Sequence, residues 1–153
     1  MNNKLTLELV WWLITLIVAV LVILPIYLSI RGDYLFYIEN IVSVIVLITL
    51  ARWILTLRHN FFSHNKKVKL VLIFAMIPLF FICYDNLIDF QAFSDEYDLN
   101  AMLGKLDSAS QVSMAKYIRY EYIFFGTGAI MCTVFIPFRM VISLWRQINK
   151  GTV

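Results

Sequence analysis

Apolar residues run almost unbroken through four stretches of this chain, and polar residues gather between them. A bilayer core about 30 Å thick takes roughly 20 helical residues to cross. Residues 9–30 are uncharged throughout and fit that length. Residues 34–57 form the second stretch, with Glu39 near its start and Arg52 near its end. The third is a shorter apolar run, 70–84, which reaches full length only with its polar flanks, so a span is predicted over 68–89. The fourth, 122–138, continues past Arg139 and is predicted over 118–147. The expected fold is all-α: one domain over 1–153, an integral membrane four-helix transmembrane bundle.

The loop of residues 90–117 is the one extramembrane piece long enough to carry structure of its own. Ser94 followed by Asp95, Glu96 and Asp98 has the composition of a helix start, with acids near the positive dipole end. Leu99, Met102, Leu103 and Leu106 then follow helical spacing and predict a short amphipathic outer helix. Its apolar face needs a cover, either as a lid on the bundle or as a docking surface for a partner. Ser108-Ala-Ser-Gln111 matches a capping box. It predicts a helix from about 109 to 148 that stands two to three turns above the membrane.

Hydrophobic residues make up 61% of the chain and charged ones 15%, well below the roughly 25% charged content of soluble domains. The charges are not evenly spread. Arg58, Lys66, Lys67 and Lys69 follow the second span, and Arg139, Arg146 and Lys150 close the chain, with no acid among either group. Asp85, Asp89, Asp95, Glu96, Asp98, Asp107 and Glu121 gather on the other side, against Lys105, Lys116 and Arg119. Lys and Arg flanking spans stay cytoplasmic, so both termini are expected inside. The aromatics agree, with Trp11, Trp12, Trp53 and Trp145 at one boundary and Tyr27, Tyr37, Tyr84, Tyr120 and Tyr122 at the other. The first span is long for a signal-peptide core and lacks a small-x-small cleavage site, so it reads as a retained anchor. The basic loop suits anionic headgroups rather than nucleic acid. Low Gly and Ala with high Ile, Phe, Tyr, Asn and Lys suggests an AT-rich bacterial genome, and hence a bacterial inner membrane.

Few residues carry obvious chemistry. Cys83 and Cys132 are expected at depths about 10 Å apart, too far for a disulfide. Without a Cys-x-x-Cys the chain does not fit the quinone-linked disulfide oxidases. His59 and His64 both fall in the basic loop, where neither serves as an intramembrane haem ligand. No cofactor and no metal is expected. The candidate ion-binding or ion-pairing residues are the charges at the outer boundary: Glu39, Asp85, Asp89, Arg119 and Glu121. Asp85 and Asp89 are one turn apart on one face. Arg119 is the cation nearest in depth, so a Glu39–Arg119 or Asp85–Arg119 pair is expected. At the inner boundary Arg52 and Arg139 have stems long enough to snorkel, and Glu8 is a partner for either.

Gly126, Gly128, Ala129, Cys132 and Thr133 give the fourth span a seam of small residues, with Gly128 and Cys132 in small-xxx-small spacing. Another helix of this chain or of a partner would fit there. Pro25, Pro78 and Pro137 lie within spans, where neighbours satisfy the freed carbonyls.

Asn86-Leu-Ile-Asp89 resembles the Asn-x-x-Asp that ends the third span of lipoprotein signal peptidases. That resemblance implies aspartyl catalysis at the outer boundary. The following Arg, the Gly-rich partner motif and the second aspartate at the start of span four are absent. Glu39-Asn40-Ile41-Val42 is similar to a segment of the microsomal glutathione transferases, whose upstream Arg-x-x-Asn is missing here. Neither likeness amounts to membership.

The functional expectation is a non-catalytic accessory subunit of a larger membrane complex, of motor, secretion, energy-transducing or respiratory type. Its partners would be the lipid bilayer and other membrane-protein subunits. The alternative is a homo-oligomeric ion-coupled transporter or channel that uses the boundary carboxylates. A peptidase-like enzyme and an immunity protein against a pore-forming toxin are lesser alternatives.

Overall fold

A computed structural model describes residues 3–30, 34–57, 60, 65–97, 99–103 and 106–149. Arg58, His59, His64, Asp98, Lys105 and Lys150 lie outside the described residues. The described chain is helical without strands: α1 (Asn3–Ser29), α2 (Tyr37–Leu55), α3 (Lys66–Glu96), α4 (Leu99–Met102) and α5 (Ser108–Ile148). All but α4 are long and apolar enough to cross a membrane. Exposed Leu, Ile, Val and Phe side chains cover their outward faces. Such faces suit hydrocarbon, since lipid tails are as apolar as the side chains they touch.

The helices stand in a row. The 41-residue α5 is the spine, packed along α2 on one side and α3 on the other, while α1 leans on α2 and reaches α5 more briefly. The order α1, α2, α5, α3 leaves α1 and α3 at the flanks. Two clusters hold the row together. Near the chain termini, Leu50 and Leu57 of the α2 side meet Met76 of α3 and Cys132, Ile136 and Met140 of α5. At the far end α1 joins in, where Ile23 and Ile26 pack with Phe90, Leu103, Ile118 and Tyr122. The row therefore closes into a bundle only at its far end.

Several hydroxyls inside the helices are satisfied locally. Thr15, Ser29 and Ser43 return their hydroxyls to the carbonyls four residues back, on Trp11, Pro25 and Glu39. Tyr117 of α5 donates to Val22 O of α1 at 2.9 Å. Arg139 donates from Nε to Ile54 O, an orphan carbonyl at the C-terminal end of α2. Cys83 and Cys132 are both free thiols and buried.

Several boundaries differ from the sequence expectation. The helix of the third span does not end near residue 89 but runs to Glu96, so Ser94 lies inside α3 and starts nothing. No Pro or Gly interrupts residues 79–97, and Phe90 extends the buried stripe of Cys83 and Leu87. The amphipathic outer helix shrinks to the four residues of α4. At α5 the cap is Asp107, one residue before the expected box, accepting from Ser110 N at 3.4 Å. Gln111 turns its amide to Leu106 O rather than back to the cap. Hydrogen bonds from Ser110 hold the exposed Asp107 carboxyl below its ordinary range. Lys69, expected among the basic flanking charges at the start of the third span, is fully buried in α3 and donates from Nζ to Ser143 Oγ of α5 at 2.9 Å.

Candidate functional site

In α2 the buried side chains Asn40, Ser43, Val44 and Leu50 follow helical spacing and face α5. In α5 the buried stripe begins with Ile118, Glu121 and Tyr122 and continues through Gly126 and Ala129. The two stripes meet at the far end, and there Asn40 donates from Nδ2 to Glu121 Oε2 at 2.8 Å. Asn40 is fully buried and Glu121 is 7% exposed. The amide oxygen Asn40 Oδ1 and the other carboxyl oxygen Glu121 Oε1 are both buried with no hydrogen-bond partner among the described residues. Glu39 is half-buried beside them, with Oε2 likewise buried and unpartnered.

Aromatic rings close the site. Tyr34, in the connection from α1 to α2, is 3% exposed and its hydroxyl has no hydrogen-bond partner among the described residues. Burial, followed by its neighbours Tyr122, Glu121, Tyr37 and Glu39, pushes that hydroxyl above the ordinary phenol range. It therefore stays a donor, among carboxylates able to accept. Tyr122 stacks on Phe90 with centroids 3.9 Å apart and donates to Asn86 O at 3.3 Å. Phe36 stands edge-on to both rings. This wall strengthens electrostatic interactions inside it by excluding water.

The expected boundary charges do not assemble as one group. Asp85 and Asp89 lie on the exposed face of α3, away from the buried stripe of Cys83, Leu87 and Phe90. Arg119 pairs with Asp95 at 3.0 Å, both exposed, in place of the expected pair with Glu39 or Asp85. The extra length of α3 brings Asp95 to the level of Arg119. Of the five candidates, Glu39 and Glu121 come together beside Tyr34, and Asp89 approaches the group only at Tyr122. Asn40, Tyr34 and Tyr122 complete the cluster, and sequence reasoning overlooked them as site residues. The available signal was spacing: Asn40 and Ser43 are polar positions on one face of an otherwise apolar helix.

The small-residue seam is filled from within the chain. A Cβ added at Gly126 would come within 3.0 Å of Leu87 Cδ1 on α3, and one at Gly128 within 2.9 Å of Leu47 on α2. Ala129, Cys132 and Thr133 are buried on the same side of α5. The apolar face around α4 is also used internally. Leu99 and Leu103 are buried, Met102 and Leu106 half-buried, and Leu103 and Leu106 belong to the far-end cluster. That face is a lid.

At the opposite end Glu8 of α1 and Arg52 of α2 form a buried ion pair, with the guanidinium 5.8 Å from the centre of the Trp11 ring. No group of three or more His, Cys, Asp or Glu with metal-holding geometry occurs among the described residues. The chain matches no protein-family model, no curated protein and no solved structure.

Proposed function

We propose that this chain is a non-catalytic component of a larger assembly in a bacterial inner membrane, with both termini cytoplasmic. The observation that carries the reading is the one-sided docking of α3. It packs extensively on α5 alone, and only 11% of its spanning window is buried. Phe74, Ile77 and Phe81 stand exposed along it. The seam and the lid are spent inside the chain, so a partner would meet this flank. The basic start of α3 and the basic end of α5 lie at the same end of the bundle, where Lys69 meets Ser143, and the rule that basic flanks stay cytoplasmic supports the orientation.

A photo-cross-linker at position 81, activated in native membranes, tests the proposal. A discrete adduct with another chain is expected. Adducts with lipid alone, at positions 74 and 81 alike, would overturn it.

A second reading, an oligomeric ion-coupled transporter, is favoured by the buried Asn40–Glu121 contact and its unpartnered oxygens. Four helices in a row enclose no path, so several copies would be needed. Liposome flux abolished by Glu121→Gln, with Asp85→Asn harmless, is the expected result. Flux that survives Glu121→Gln rejects it.

A further inference from the structure

The far-end cluster combines donors and acceptors unevenly. Asn40 has given one N–H to Glu121 Oε2, which leaves Oδ1 of the amide and Oε1 of the carboxyl as acceptors with no donor among the described residues. A primary amide and a carboxylic acid side by side form a ring of two hydrogen bonds. The amide N–H donates to one carboxyl oxygen, and the acid O–H donates to the amide oxygen. The first bond is present, and the second needs one proton on Oε1. Without it two buried acceptors share a dry site, which costs far more than an exposed pair.

We propose that Glu121 is a proton-binding site, its proton shared with Asn40 in an acid–amide ring that joins α5 to α2. The proton comes from water and goes onto Glu121 Oε1, so the carboxylate becomes a neutral acid and no other bond changes. The titratable groups around it are Glu39 from α2, Tyr34 from the α1–α2 connection, and Tyr117 and Tyr122 from α5 itself. From α3, Asp89 and Cys83 approach Tyr122 rather than Glu121. Tyr27 of α1 stands against Tyr37, and α4 carries no titratable residue. None of these groups is a cation. The ligand is a proton rather than a metal ion: among the described residues no group of three or more His, Cys, Asp or Glu could hold a metal. A metal ion needs a cage of oxygens around its own volume, and a proton needs none.

The proposal holds whether or not the chain has partners. Infrared difference spectroscopy of the full chain in lipid nanodiscs, titrated with acid and base, tests it. At neutral pH the carbonyl band of a protonated carboxylic acid is expected in the wild type. Glu121→Gln should remove the band and Glu39→Gln should leave it. Asn40→Leu should shift it to higher frequency by freeing the acid from its amide, and this variant serves if Glu121→Gln does not insert. Glu121→Gln carries an N–H in place of the acid O–H, so its thermal stability should not change with pH where the wild type loses stability as pH rises. A band that appears only in the ordinary carboxylate range, about pH 4.3, would overturn the proposal. So would stabilisation of the wild type by sodium or calcium ions at neutral pH with no acid band, which would make the cluster a metal-cation site.

Discussion

Gly128 shows how little space separates the helices of this protein. Any Cβ there meets both methyl carbons of Leu47 at 2.9 Å. Lipid competes for apolar surface as well as a neighbouring helix does, so such seams are held by close packing rather than by escape from water. Leu47 is flexible, so Gly128→Ala should be absorbed by rotation of its side chain. Gly128→Ile should cost about 1–3 kcal/mol through overpacking, read as unfolding stability by steric trapping in a bilayer mimic. Adding Leu47→Ala should restore part of that loss, since residues in contact couple. An undiminished cost in the double variant would place the clash elsewhere. The seam itself was legible at the residue scale, because small residues in regular spacing announce close approach. Which leucine fills it was not, since that depends on the partner helix.

At the scale of elements, paired charges tie the helices together at fixed heights. Glu8 and Arg52 are both nearly inaccessible, 7% and 9% exposed, and they link α1 to α2 at the end opposite the Asn40–Glu121 contact. Removing one partner leaves the other charge buried alone. Arg52→Met or Glu8→Leu singly should therefore cost about 3–5 kcal/mol, and the double replacement much less. Equal losses in the single and double variants, measured by the same unfolding assay, would show that packing rather than charge holds α1. Four long helices and the start of α5 were readable from apolar length and turn chemistry. The extension of α3 to Glu96 was missed because Ser94 and its acids satisfy the local rules for a helix start. The packing of Phe90 against Tyr122, Phe36 and the lid residue Leu103 favours a continuous helix instead. Local preference is weak beside such contacts.

For the whole molecule, the row of helices gives the two flanks different surroundings from the centre. The exposed Lys67 and Val112 lie at opposite ends of the row. In a background lacking Cys83 and Cys132, Val112→Cys should react with an impermeant maleimide added to intact cells. Lys67→Cys should react only after the membrane is opened. The reverse pattern would invert the proposed orientation. The sequence alone determined that the chain is helical, that four segments suit a membrane, and that charge divides its two ends, because these depend on length, hydropathy and local composition. The tertiary structure decided the row order, the filling of the seam by Leu47 and Leu87, and the pairing of Arg119 with Asp95. It also brought Glu121 to Asn40 while leaving Asp85 and Asp89 outside. Each of these depends on the rotation of one helix against another, and nearly uniform apolar helices barely encode that rotation. Their few polar and small residues acquire a common face only when the partner helix is in place.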